Sequence, residues 1–146
     1  VIYMKFFAFA AAALAVSITG AAADPIADRK ADMKERGGLM RVLAPTAQGK
    51  TEFDAATILD ALEKLNARAQ AATDVAAQYP AGSEAGDTKA GPKIWSDREA
   101  FQEATDKFAE ATAAAVAAAP QDLESFRAVF GPVGAGCGTC HEAFRL

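Results

Sequence analysis

Histidine and cysteine are scarce in this chain, which has one histidine and two cysteines among 146 residues. A structural zinc site takes about four nitrogen or sulfur ligands, so these side chains are too few to form one. A redox-active cysteine pair of the thioredoxin type is expected within a βαβ pattern, and no strand pattern surrounds these cysteines. The shortage argues against both a zinc site and a thioredoxin-like function.

Positive charge is also in short supply. The 15 lysines and arginines are outnumbered by 19 aspartates and glutamates, which gives a formal net charge of −4. An acidic surface repels phosphate groups, so nucleic acid and anionic membrane surfaces are not expected partners. Hydrophobic residues make up 51% of the chain, but alanine supplies much of that fraction. The length and composition therefore predict one domain without a large aromatic core.

The scarce residues are concentrated in one segment, Cys137-Gly138-Thr139-Cys140-His141. This is the C-x-x-C-H pattern of c-type haem attachment. Each thiol adds to one vinyl group on the same porphyrin edge, and two intervening residues let both thiols reach that edge from one helical turn. The adjacent imidazole of His141 is then the proximal iron ligand. We predict one haem c, attached covalently to Cys137 and Cys140.

The N-terminal segment predicts export. Lys5 precedes an uninterrupted run of 13 apolar and small residues, Phe6–Ile18, and Ala21–Ala23 offers an A-x-A cleavage site. This arrangement is typical of a signal peptide. A transmembrane anchor needs about 20 apolar residues, so the run is too short to span a membrane. We therefore expect residues 1–23 to be removed.

The predicted mature protein is a single periplasmic domain over residues 24–146. Residues 1–3 precede Met4 and are expected to be an extension upstream of the natural start. Covalent haem attachment occurs outside the cytoplasmic membrane, so export agrees with the motif, and no membrane insertion is expected after processing. Both cysteines are expected to bond to haem, so no structural disulfide is expected even though the periplasm is oxidising.

Proline and glycine divide the mature chain into four helical stretches. Asp24 is a suitable N-cap in front of Pro25, and the segment from Thr51 to Asp54 is typical of a capping box. The predicted helices cover residues 25–44, ended by Pro45; 51–79, ended by Pro80; 93–119; and 121 onward, with a loop over 81–92. Four helices with mostly short connections predict an all-α, antiparallel up-down-up-down four-helix bundle.

The apolar residues of the fourth helix recur in alternating steps of three and four. They are Leu123, Phe126, Phe130, Val133, Cys137, Cys140 and Phe144. Both cysteines fall on this stripe, so we expect the haem to lie inside the bundle. Gly134 and Gly138 are expected to let the backbone approach the haem. Pro132 is expected to bend this helix or to break it near Gly131.

Methionine is the obvious candidate for a second axial ligand, because the chain has no second histidine. Met33 and Met40 remain after signal removal, on one stripe of the first helix, and either can instead fill a gap in the core. Gly37 and Gly38 follow Met33 by one turn. A mid-helix glycine costs about 1 kcal/mol relative to alanine, so the pair indicates close approach of a bulky, flat group. Arg29 lies one turn before Met33. Its guanidinium is expected either to contact a haem propionate or to be a solvated surface charge.

With these features the chain resembles the class II c-type cytochromes, which include cytochrome c′. The resemblance covers residues 24–146 and rests on Cys137–Arg145, on Gly91–Trp95 and on the register from Arg29 to Gly49. It implies a four-helix bundle with haem c. In this family the residue four positions after an arginine of the first helix faces the distal side of the iron, and that residue is Met33 here.

The distal residue divides the family into two groups. A bulky apolar residue leaves the iron five-coordinate and able to bind NO or CO, whereas methionine makes it six-coordinate and low-spin. The resemblance also implies that Arg145, one turn after His141, lies near the proximal side of the haem. Trp95 is expected to pack beside the haem or between helices. Homodimers through the first two helices are common in the family.

We predict a periplasmic electron-transfer haem protein with iron ligated by His141 and Met33, acting with redox partner proteins. His/Met ligation raises the haem potential and saturates the iron. The alternative is a five-coordinate cytochrome c′-type protein that binds NO or CO. An enzyme is not expected, because the sequence has no second metal site, no nucleophile–base pair with a supporting histidine and no glycine-rich phosphate loop.

Overall fold

The computed structural model describes residues 23–146. The predicted signal peptide, residues 1–23, lies outside the described residues except for Ala23. The described chain forms six helices: α1 Pro25–Ala47, α2 Ala55–Ala72, α3 Val75–Gln78, α4 Lys93–Ser96, α5 Arg98–Ala118 and α6 Leu123–Phe144. None of these six is both long enough and apolar enough to cross a membrane.

Two apolar clusters lie at different heights along the bundle. The upper cluster draws on all four long helices and consists of Leu43, Ile58, Ala61, Leu62, Leu65, Ala69, Phe108, Ala109, Ala115, Phe126 and Val133. The lower cluster consists of Val75, Tyr79, Ile94, Phe101 and Phe144. α5 and α6 contribute to both clusters from opposite ends, so each of these helices crosses from one cluster to the other.

The order of the clusters along each helix gives the topology. α6 runs from the upper to the lower cluster, as does α2 with the short α3 that follows it. α5 runs in the opposite direction, and so does α1, which begins with Arg29 stacked on the lower cluster and ends with Leu43 in the upper one. α1 and α5 each pack on both α2 and α6. The predicted antiparallel four-helix bundle is confirmed.

Aspartate side chains cap the long helices. The Asp24 carboxylate accepts hydrogen bonds from two backbone N–H groups in the first turn of α1, both at 3.1 Å, as predicted. Asp122 forms a capping box with Ser125 at the predicted start of α6. Asp54 caps α2, so α2 begins later than the predicted Thr51. A carboxylate in this position satisfies N–H groups that have no partner within the helix.

Two prolines lie inside helices that they were expected to end or disrupt. α1 continues through Pro45, so its predicted end at that proline was wrong. Few helical hydrogen bonds remain so close to the C-terminus, and the Thr46 hydroxyl donates back to the Val42 carbonyl at 3.0 Å. α6 is uninterrupted through Pro132, so a break near Gly131 is absent. Pro132 is exposed, and solvent can satisfy the carbonyl that its missing N–H leaves unbonded.

Two of the predicted helices are each divided, which was not expected. α2 ends at Ala72, where the Thr73 hydroxyl donates to the Gln70 carbonyl at 2.7 Å and Asp74 caps α3. Asp97 likewise ends α4 and caps α5. Short polar side chains compete for backbone hydrogen bonds in this way. The divisions let α3 and α4 contribute to the lower cluster.

Candidate haem site

The CxxCH segment lies near the end of α6 and reaches both clusters. Cys137 packs against the upper cluster and Cys140 against the lower one. Both thiols are free and half-buried, whereas His141 is exposed. Residues three apart lie on nearly the same face of a helix. One turn of α6 therefore carries both thiols across the boundary between the two clusters.

α1 crosses the same boundary. The Arg29 guanidinium lies 4.8 Å from the ring centroid of Tyr79 in the lower cluster, whereas Met40 packs against the upper cluster. Met33 lies between them along α1 and is 39% exposed. α1 packs directly on α6. The boundary between the two clusters, which α6 crosses at Cys137–Cys140 and α1 crosses between Arg29 and Met40, is called the seam below.

The two methionines differ in their packing. Both were expected to face the core, but only Met40 packs against a buried cluster. Met33 is instead among the large apolar side chains left exposed. The role of gap-filler therefore belongs to Met40, and the Met33 thioether has no comparable place in the core.

Glycines leave room beside the backbone on both sides of the seam. A Cβ on Gly138 would meet no atom within 4 Å, and one on Gly37 or Gly38 would meet only the Arg41 guanidinium, at 3.9 and 3.8 Å. Described protein atoms therefore do not occupy the space next to these positions. The two thiols and the imidazole of α6, together with the Met33 thioether of α1, are donor types that fit a covalently attached haem c.

Gly136 is a site residue that the sequence reasoning missed. A Cβ there would lie 2.9 Å from Cδ2 of Phe108, closer than two non-bonded carbon atoms pack. α5 can therefore approach α6 next to Cys137 only because Gly136 has no side chain. At Gly134, which was predicted, a Cβ would make an ordinary contact with Phe130 at 3.6 Å. The sequence feature that could have indicated this close approach is the occurrence of three glycines at alternate positions around Cys137.

The thiols and the imidazole are affected by burial and by nearby cations. Burial raises the pKa of the Cys137 and Cys140 thiols, and the positive charge of Arg36 opposes this effect at both. Partial burial lowers the pKa of His141, and the charges of Arg145 and Arg36 lower it further. The imidazole thus stays neutral to lower pH, and neutral imidazole is the form that ligates metals.

A charged network beside the seam was also missed. Arg36 Nε donates to Asp32 Oδ2 at 2.7 Å, and Arg36 Nη2 donates to the Arg68 carbonyl at 3.0 Å. Arg68 Nη1 donates to Asp32 Oδ1 at 3.1 Å, and Arg68 also pairs with Glu35. The network joins α1 to α2 on either side of Met33 in the sequence. Its signal in the sequence was the i,i+4 spacing of Asp32 and Arg36.

Arg29 is buried, with 6% of its surface exposed, so a solvated surface charge was the wrong alternative. Its guanidinium donates to the Gln78 carbonyl at 3.2 Å and to the hydroxyl and carbonyl of Ser83, each at 2.9 Å. It also lies over the Trp95 ring, 5.7 Å from the centroid. These contacts hold the loop after α3 against α1. A contact with a haem propionate stays a prediction.

Trp95 packs between structural elements, as one of its predicted roles required. Its indole N–H donates to the Pro80 carbonyl at 3.3 Å. Its ring meets that of Tyr79 edge-on, with centroids 5.9 Å apart. These contacts join α4 to the segment that follows α3.

Arg145 ends α6 and is exposed. Its backbone N–H donates to the His141 carbonyl at 3.1 Å, while the neighbouring Phe144 carbonyl accepts from the N–H of Gly91 at 2.7 Å. A Cβ on Gly91 would lie 2.8 Å from that carbonyl oxygen, so only glycine permits the approach. The loop before α4 therefore fixes the end of α6 beside His141. A haem contact of Arg145 stays a prediction.

Comparison with known proteins gives concordant matches over the described domain. A model of the cytochrome c′ family matches residues 24–145. Cytochrome c-556 of Agrobacterium fabrum is 35% identical over 125 residues, which are 86% of this chain and 83% of the relative. The structure of cytochrome c′ from Rhodopseudomonas palustris superposes with a TM-score of 0.77 at 34% identity, over 85% of this chain and 97% of the other.

One further similar structure bears on ligand binding. It is the nitric oxide complex of a point mutant of cytochrome c prime from Alcaligenes xylosoxidans. It superposes with a TM-score of 0.71 at 31% identity, over 83% of this chain and 93% of that chain. Relatives named as cytochrome c-556 and as cytochrome c′ thus match the same domain.

Proposed function

Because the chain belongs to the cytochrome c′ family, we propose that it is a periplasmic electron-transfer protein whose haem iron is ligated by His141 and Met33. The family consists of electron-transfer proteins with covalently attached haem c. Haem c supplies the one-electron chemistry of its iron. Cys137 and Cys140 attach it, His141 offers an imidazole nitrogen, and Met33 offers a thioether sulfur.

The position of Met33 is the observation that carries this proposal. It lies on α1 between Arg29, which stacks on the lower cluster, and Met40, which packs against the upper one, and α1 packs on the helix that carries the CxxCH segment. It is 39% exposed, and packing in the core does not account for it. Met40 packs against the upper cluster, so the bundle already uses one methionine as core and leaves the other free for a ligand role.

Contacts at the helix ends restrict movement of α1 and α6. The ends of α1 and α6 are held by Asp24, by the Asp122 capping box and by the pairing of Gly91 with Phe144. Ligands that sit on two mutually packed helices change position little when a charge is gained or lost. Small rearrangement favours electron transfer over ligand exchange, which supports the carrier function.

The alternative is a five-coordinate protein that binds NO or CO. One observation favours it: the similar structure from Alcaligenes xylosoxidans is a nitric oxide complex. In that case Met33 would leave the iron accessible to a diatomic gas. The two functions differ in whether the Met33 sulfur is bonded to the iron, and substitution of Met33 distinguishes them.

We expect Met33→Leu to convert a low-spin protein into a high-spin one. Leucine keeps the apolar volume but has no sulfur, so the charge-transfer band of methionine bound to ferric iron should vanish. The reduction potential should fall, and CO should bind readily to the reduced protein. Absorption spectra of both oxidation states, with and without CO, report the spin state, the charge-transfer band and CO binding. A spectroelectrochemical titration measures the potential.

Met40→Leu is the matched control and should keep the wild-type spectrum. If Met40→Leu produces these changes and Met33→Leu does not, the distal ligand is Met40. If the wild-type protein is already high-spin and binds CO without competition, the gas-binding function replaces electron transfer.

Location and partners are part of the same proposal. The acidic surface predicted from composition suits redox partners that present a basic face, because opposite charges raise the rate of encounter. A homodimer through α1 and α2 is a further expectation from the family, and size-exclusion chromatography with light scattering tests it.

A further inference from the structure

We propose that Arg36 raises the reduction potential of the haem by holding a desolvated cation beside the seam. The inference rests on the proposed electron-transfer function, in which the potential is the property that matters. It concerns a residue that does not attach or ligate the haem, so its role is electrostatic.

The position of the Arg36 side chain is the first support. Only 12% of the side chain is exposed, and its guanidinium carbon lies 5.7 Å from the ring centroid of Phe108. Phe108 in turn touches α6 so closely at Gly136 that a Cβ there would lie 2.9 Å from its ring. Gly136 directly precedes Cys137. One aromatic ring therefore separates the cation from the haem attachment segment.

The cation cannot easily turn away from this position. Its Nε donates to Asp32 on α1 at 2.7 Å, and its Nη2 donates to the Arg68 carbonyl on α2 at 3.0 Å. Anchors on two different helices fix the planar guanidinium more firmly than a single ion pair would. α1 therefore carries both the proposed distal ligand, Met33, and a fixed charge one turn away.

The other charged side chains of the network do not fully offset the positive charge of Arg36. Asp32 is 24% exposed, Arg68 is 32% exposed and Glu35 is 57% exposed. Solvent screens the more exposed charges more strongly, and Arg36 is the least exposed of the four. Of the two anions in the network, Asp32 is the less exposed, so it should oppose Arg36.

Ferric haem carries one more positive charge than ferrous haem, so a nearby cation disfavours oxidation. For a partly buried charge near the haem, the effect on the ratio of reduced to oxidised protein is on the order of tenfold. For a one-electron couple, tenfold corresponds to about 59 mV.

The test is a spectroelectrochemical titration of the haem-bound protein. Arg36→Gln should lower the ratio of reduced to oxidised haem about tenfold at a fixed ambient potential, whereas Arg36→Lys should restore most of it. Asp32→Asn removes the opposing anion and should raise the ratio. If the substitutions only loosened the fold, Arg36→Gln and Asp32→Asn would change the ratio of reduced to oxidised haem in the same direction. Shifts of the same sign in the two variants would therefore overturn the proposal.

A second background separates charge from ligation. In Met33→Leu, the distal ligand is already absent, and Arg36→Gln should still lower the ratio by a similar factor. If the shift disappears in that background, Arg36 acts by holding Met33 and the electrostatic role is wrong. If the iron were not ligated by both His141 and Met33, the wild-type protein would have a high-spin spectrum, which is a separate observation.

Discussion

Gly136 shows at the scale of a single residue how α6 is placed against α5. The helix would gain propensity from alanine at this position, yet a Cβ would meet the Phe108 ring at 2.9 Å. Phe108 is buried in the upper cluster, so its ring has little freedom to move. The absence of a side chain therefore sets the distance between the two helices next to Cys137.

We expect Gly136→Ala to lower the free energy of unfolding of the haem-bound protein by about 1 kcal/mol. Overpacking costs about 1–3 kcal/mol, and the helix propensity of alanine offsets about 1 kcal/mol of that cost. Denaturant titration followed by circular dichroism measures the change. Gly131→Ala is the control in the same helix, where a Cβ would meet no atom within 4 Å, and it should be stabilising. Equal destabilisation by both would contradict the role given to Phe108.

At the scale of the element, α6 depends on its first turn. Asp122 and Ser125 form a capping box in which each side chain bonds the backbone of the other. Hydrogen bonds from the backbone and the side chain of Ser125 lower the pKa of Asp122. A cap on this helix stabilises the element that carries Cys137, Cys140 and His141.

We expect Asp122→Ala to lower the Tm of the protein by a few degrees at neutral pH, because the first-turn N–H groups lose their acceptor. The folded-state pKa of Asp122 is depressed, so its contribution is present above the ordinary value of 3.8. That contribution is lost as the pH falls through the depressed pKa.

The difference in Tm between Asp122→Ala and wild type should therefore shrink on acidification. Asp122→Asn keeps an acceptor without the carboxylate and should stay near wild type at neutral pH. A difference that stays constant down to low pH would mean that the charged form of Asp122 is not responsible.

α1 is the element in which the site was hardest to foresee. The charged side chain of Arg29 is buried, whereas the apolar side chain of the proposed ligand, Met33, is partly exposed. The simple expectation of apolar residues inside and polar residues outside fails here. Arg29 is tolerated inside because three oxygens of the 78–83 segment and two aromatic rings surround its guanidinium.

At the scale of the whole molecule, the two clusters and the seam between them define the organisation. Here the long helices pass from one cluster to the other, and the CxxCH segment lies at the crossing. The proposed haem would therefore attach where α6 passes from one cluster to the other.

We expect the native protein to begin near Asp24 and to be recovered from the periplasm. The family match begins at residue 24, and the apolar run before it is typical of a signal peptide. N-terminal sequencing of protein from a periplasmic extract measures the start. Recovery from the membrane fraction with Phe6–Ile18 intact would mean that this segment is an anchor. Replacing Ala21 and Ala23 with bulky residues should block processing and serves as the control.

Local features of the sequence were sufficient for much of this protein. The CxxCH motif, the N-cap at Asp24 and the stripe along α6 each depend on residues within a few positions of one another. Such signals can be read without the fold, because helix capping and helical periodicity act over one or two turns. They predicted the haem, the start of α1 and the bundle correctly.

Only the tertiary structure decided which of these residues meet. Arg29 is buried because Ser83, 54 positions away, accepts its hydrogen bonds. Gly136 is required because Phe108 on another helix presses against it. Met33 and Met40 look alike in the sequence, and they differ because one reaches the upper cluster and the other lies at the seam. These properties depend on contacts between distant segments, and no local pattern encodes such contacts.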